Sequence, residues 1–145
     1  MGTSLYESGF YAWANEQAAL LRAGKLSAAD IANIAEEIGS MGRSEKRELV
    51  SRLTVLVPHL LKWQYQPSRR GTLWEASIAN TRDDLIDHLA DNPSLKGRLP
   101  ESVEASYRRA RREAAAETGL SAAPFPATCP WPFEQLMDEA FWPED

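Results

Sequence analysis

The chain has 145 residues, 43% of them hydrophobic and 26% charged, a size and balance that support one globular core without disulfides or metal. A formal net charge of −5 opposes bulk attraction to nucleic acid or to an anionic membrane. Cys129 is the single cysteine, which excludes an intramolecular disulfide and fits a reducing, cytoplasmic location. No window approaches the ~20 consecutive apolar residues of a membrane span.

The opening MGTSLYESGFYAW lacks the basic-then-apolar pattern of a secretory signal and reads as the approach to a first helix. That helix is predicted over about residues 8–23, with Phe10, Trp13, Leu20 and Leu21 on one face and Gly24 as its C-terminal stop. A second helix is predicted to start at Ser27 as N-cap, with Asp30 three residues later and Leu26 stapled to Ile31. Its buried stripe would be Ile31, Ile34, Ile38 and Met41, and Gly39 and Gly42 would bracket its end.

The third helix carries Leu49, Leu53, Leu56, Leu60 and Trp63 at alternating four- and three-residue steps, the spacing of a bundle core. Pro58 lies off that stripe, which predicts a kink rather than a break. A turn over residues 66–71 leads to a fourth helix with Trp74, Ile78, Leu85 and Leu89 inward, ended by Asp91-Asn92-Pro93. Pro100 suits the first turn of a fifth helix that Gly119 closes. From Pro124 onward prolines alternate with Phe125, Trp131, Phe133, Phe141 and Trp142, which predicts an extended aromatic strap with a short helix near residues 133–139. The expected fold is all-α: an antiparallel four-helix bundle over about residues 8–92, a further helix and a strap, in one domain spanning residues 1–145.

Recognisable chemistry is sparse. His59 and His88 are the only histidines and neither follows a glutamate at the Glu-x-x-His spacing of bundle metal sites, so no metal and no other cofactor is expected. There is no nucleophile elbow and no glycine-rich phosphate loop. Polar residues on apolar faces are more informative. Gln17, Glu37 and Arg82 are placed to form a cross-bundle network, either a structural one or, with His59, an acid, base and anion-stabilising cluster of a hydrolase. Trp63, Tyr65, Arg69, Arg70 and Trp74 should share one aromatic, basic end of the bundle and line a ligand cleft.

Residues 43–70 hold seven basic groups against Glu45 and Glu48, and residues 113–145 hold seven acids and no base. A basic face can bind nucleic acid, and the acidic strap can equally neutralise it.

The segments FYAWANEQAALLRAGK, IAEEIGSMGRSEKREL, HLLKWQYQP, DNPSLK and TCPW resemble the bacterial family called domain of unknown function 29. The resemblance covers nearly the whole chain. It implies a four-helix bundle and no assigned activity, and it carries over no functional residue. The absence of catalytic motifs makes the expected function a non-enzymatic module that binds another protein through the basic face of the third helix or the strap, with a homodimer through shared amphipathic helix faces as the other expected partner. The alternatives are the Glu37, His59 and Arg82 enzyme and a nucleic-acid binder.

Overall fold

The computed structural model describes residues 2–121 and 124–144. Ala122, Ala123 and Asp145, part of the expected strap, lie outside the described residues. The described chain is all-α, with six α-helices and no strand. They are α1 (Gly2–Ser8), α2 (Phe10–Arg22), α3 (Ile31–Tyr65), α4 (Thr72–Asp91), α5 (Leu99–Thr118) and α6 (Phe133–Met137). Four of these, α2 to α5, are long. The chain divides into two compact units, Met1–Ser44 and Glu45–Asp145.

In the first unit, α2 ends as its sequence predicts. Gly24 takes φ +73°, the left-handed conformation open to glycine, so that its N–H reaches the Leu21 carbonyl at 3.0 Å and the Lys25 N–H reaches that of Leu20 at 2.9 Å. The predicted start of the next helix is corrected. Leu26–Ala28 forms a 3-10 turn, and Asp30, not Ser27, caps α3: its carboxylate accepts the Asn33 N–H at 3.4 Å and the Asn33 side-chain amide at 2.8 Å. Leu26 and Ile31 are both more than half exposed, so no staple forms.

Asp30 is also the hub of this unit. The Trp13 indole donates to its carboxylate at 3.0 Å, and its own N–H donates to the buried Gln17 side-chain carbonyl at 2.7 Å. The donors from Asn33, then Trp13, hold the Asp30 carboxyl below the usual range.

The expected second and third helices are one continuous helix. Gly39 and Gly42 lie inside α3, where a glycine costs only about 1 kcal/mol relative to alanine and no proline follows to force a stop. Arg43 reaches across Gly39 to pair with Glu36 at 3.0 Å, and a Cβ on Gly39 would sit 3.2 Å from that guanidinium. The stripe expected to be buried is instead open: Ile31, Ile38 and Met41 are 53%, 65% and 66% exposed.

In the second unit, Leu49, Leu53, Leu56, Leu60 and Trp63 are buried as their spacing predicts. Pro58 is buried too, contrary to the expectation that it lies clear of the core, because Val57, Leu61 and Lys62 are also buried and the last turns of α3 are covered on nearly every side. Helix α4 runs antiparallel to α3, with Trp74 under Lys62 near the turn and His88 against Glu45 at the far end. Helix α5 runs parallel to α3, tied by Lys46 to Glu101 and by Lys62 to Glu117. Val103, Tyr107, Ala110 and Ala114 face the core from α5, and Gly119 at φ +73° ends it.

The strap completes that core with Phe125, Trp131 and Leu136 buried. Its carbonyls are capped by side chains of the helices. The Tyr107 hydroxyl donates to Pro126 at 2.6 Å, and Arg111 donates to Phe125 at 3.1 and 3.3 Å.

Burial pushes Tyr107 up to about 12, above the ~10 of an unfolded tyrosine. A raised folded-state value means that its stabilisation is complete below about pH 10 and is lost as pH rises towards 12. Circular dichroism and phenolate absorbance should report an alkaline unfolding transition in that window. Tyr107→Phe should move the transition to higher pH while lowering stability at neutral pH by about 1 kcal/mol, the worth of the lost hydrogen bond.

Candidate functional site

The residues singled out from sequence fall into separate environments. Glu37 accepts a hydrogen bond from the Tyr6 hydroxyl, and that bond is the main reason Tyr6 is pushed up to about 12. His59 sits half-buried on α3 and its Nδ1 is 2.8 Å from the Val55 carbonyl one turn back. Arg82 is buried on α4 and points to the strap, donating from Nε to the Leu136 carbonyl at 2.8 Å and from Nη2 to the Phe141 carbonyl at 2.9 Å. The Gln17 side-chain carbonyl accepts the Asp30 N–H.

Arg82 carries a desolvated charge without a carboxylate in contact. Burial lowers its affinity for the proton, while Asp138 and Glu139 nearby oppose that effect. Its guanidinium also lies over the Trp142 ring, 5.6 Å from the centroid. This is the bonding of a structural clamp, with both strap carbonyls satisfied by one side chain.

The strap packs against several of the residues placed at the aromatic, basic end of the bundle. Trp63 packs on Trp142 with centroids 4.7 Å apart, and Tyr65 packs edge-on to Phe125 at 4.8 Å. Arg70 donates to the Trp63 carbonyl at 2.6 Å and to the Pro143 carbonyl at 3.4 Å. Arg69 and Trp74 border what is left, a shallow depression of about 400 Å³ shared with Gly71, Thr72 and Leu73.

The basic face of α3 is likewise engaged. Arg43 pairs with Glu36, Lys46 with Glu101, Lys62 with Glu117, and Arg52 with both Glu48 and Asp84. Arg47 and Arg69 remain as exposed charges. A groove of about 520 Å³ of mixed polarity runs between the first turns of α5 and the strap, bordered by Val103, Glu104, Cys129 and Trp131. Burial raises the Cys129 thiol, so it is no ready nucleophile there.

The most polar cleft lies where α3 and α4 meet at the far end from their turn. Its volume is about 510 Å³, and Glu45, Glu48 and His88 converge in it with ligand atoms all within 4.8 Å of one another. His88 Nε2 lies 2.9 Å from the Glu45 backbone carbonyl, while Nδ1 faces a carboxylate oxygen of Glu48 at 3.5 Å and one of Glu45 at 3.8 Å. Arg52 holds the other Glu48 oxygen at 2.6 Å, which keeps that carboxyl below its usual range. Asn92 donates to Glu45 at 3.2 Å.

The Glu-x-x-His spacing belongs to a single helix and does not reveal this convergence, whose donors come from two. A usable signal was present. Glu48 lies 17 residues before the end of α3 and His88 16 residues after the start of α4, so a short antiparallel turn sets them opposite one another.

A model of the protein family described as Domain of unknown function DUF29 matches residues 5–142. No curated protein and no solved structure matches the chain. No helix among the described residues is long and apolar enough to cross a membrane.

Replacing Arg82 tests the clamp. Arg82→Met leaves the Leu136 and Phe141 carbonyls without a donor and should cost about 3 kcal/mol in urea unfolding. Limited proteolysis should then cut within the strap at residues 124–144 before it cuts α3 to α5.

Proposed function

The chain belongs to the DUF29 family, and for this member we propose a non-enzymatic role as a helical protein-binding module whose first partner is a second copy of itself. One observation carries this reading: Ile31, Ile34, Ile38 and Met41 follow one another at steps of three, four and three residues, with Ile31, Ile38 and Met41 more than half exposed. That spacing is the a and d seam of a coiled coil, which is self-complementary because the same stripe of a second α3 fits into its holes. Of the eleven exposed large hydrophobics among the described residues, seven fall within residues 1–44. Scattered apolar residues on a surface need no explanation, but a concentrated set marks an interaction face.

Both surfaces that the sequence offered for partner binding are spent inside the chain. The aromatic anchors of the strap pack into the core and most of the basic groups on α3 are ion-paired, which argues against the strap and against nucleic acid as the mode of binding. Glu37, His59 and Arg82 each have a separate hydrogen-bond partner, which argues against the hydrolytic reading.

Analytical ultracentrifugation at micromolar concentrations should give twice the 16.2 kDa chain mass. The double substitution Ile38→Glu and Met41→Glu should return the protein to a monomer with unchanged helicity, because those side chains are 65% and 66% exposed in the chain. A wild-type monomer at 100 µM, roughly the weak end of specific association, would rule out the second copy as partner.

A further inference from the structure

We infer that Glu45, Glu48 and His88 form a binding site for one divalent first-row transition ion of the zinc or manganese kind.

The argument begins with the histidine. His88 is 7% exposed, and its Nε2 can bond the Glu45 carbonyl 2.9 Å away only as a donor, so the ring proton sits on Nε2. Nδ1 then faces two carboxylate oxygens at 3.5 and 3.8 Å. Both distances exceed the ~2.7–3.2 Å of an N–H···O hydrogen bond. Two carboxylates converging on one ring nitrogen call for a positive charge between them, and separations longer than a hydrogen bond suit a metal ion better than a proton on Nδ1. Metal–ligand lengths of about 2.0–2.2 Å at tetrahedral to octahedral angles separate neighbouring donors by ~3–3.5 Å, so the Glu48 oxygen at 3.5 Å already sits at ligand spacing, and the half-exposed Glu45 carboxylate at 3.8 Å has to move inward by a few tenths of an ångström to join it.

The surroundings supply what such a centre needs. A histidine that ligates a metal usually gives its other N–H to a carbonyl or carboxylate, which fixes tautomer and ring orientation. Here the Glu45 main chain takes that proton. Arg52 binds one oxygen of Glu48 at 2.6 Å and leaves the other turned to His88. Asn92 orients Glu45 at 3.2 Å.

Asp84, Asp87 and Asp91 line the same open cleft and make its mouth attractive to cations. Arg52 is tied to Asp84 at 3.1 Å as well as to Glu48, so its charge is largely met by carboxylates already present. One imidazole with two carboxylates and no thiolate favours zinc, manganese or iron over calcium or magnesium. Three protein ligands leave coordination positions for water or a further donor.

The test is isothermal titration of tag-free, chelator-treated full chain with ZnCl₂, and separately with MnCl₂. One ion per chain should bind, and the melting temperature should rise with the logarithm of free ion once the site is saturated. Glu48→Gln and Glu45→Gln, both at half-exposed positions and conservative in shape, should each weaken binding at least tenfold. His88→Asn should weaken it further, whereas His59→Asn should leave it unchanged. X-ray absorption of the zinc form should show a single imidazole among oxygen ligands. The proposal fails if the wild-type chain binds no ion, or if both folded glutamine variants bind zinc as tightly as it does. Because those two variants decide the outcome, it does not depend on whether the histidine variant folds.

Discussion

A proline-rich segment packed into a helical core must find hydrogen-bond donors for carbonyls that no ladder or helix satisfies, and this requirement organises the second unit. Arg82, Arg70, Arg111 and Tyr107 supply those donors to carbonyls of Leu136, Phe141, Pro143, Phe125 and Pro126. The attraction is between side-chain donors and main-chain oxygens rather than between the acidic side chains of the strap and the basic face of α3. Arginine suits this because its planar fork can serve two acceptors at once and it remains charged when buried. The aromatic anchors then gain their burial only because the backbone beside them is already satisfied.

The same requirement accounts for the fate of the residues expected to do chemistry. A buried arginine on an apolar helix face suggests either an internal ion pair or a poised active-site group. Arg82 is neither, since its donors end on main-chain carbonyls. The aromatic end of the bundle follows suit, because Trp63 and Tyr65 meet Trp142 and Phe125 of the strap. The polar cleft around His88, which the strap does not line, and the apolar stripe of the first unit both stay open.

Helix α3 changes its surroundings along its length. Up to Ser44 it belongs to a small unit fixed by the Asp30 hub, with large apolar side chains left open to solvent. Further on it supplies one wall of the His88 cleft and then becomes the centre of a packed core, with Leu56, Val57, Leu60 and Leu61 fully buried. A single helix thus presents an exposed apolar stripe, a polar cleft wall and a row of core contacts in sequence. The properties of each depend on what is packed around it, not on helical propensity.

The pattern of residues was enough for the all-α class, the leucine stripe of α3, the inner face of α4, the span of α5 and the short helix within the strap, because each rests on local periodicity or on a local stop such as Gly24, Gly119 or Pro93. Local stops also misled where they were weak. Gly39 and Gly42 carry too small a penalty to end a helix, so two expected helices are one, and Asp30 out-competes Ser27 as cap because Trp13, Gln17 and Asn33 all converge on it. Periodicity identified an apolar stripe at Ile31, Ile38 and Met41 but not whether anything would cover it, since burial is decided by neighbours remote in the chain. The partner of Arg82 and the meeting of Glu45 and Glu48 with His88 were likewise decided only by tertiary structure: hydrogen bonds and metal ligands are selected by distances of a few ångströms, and those follow from helix register and strap placement rather than from spacing within any one segment.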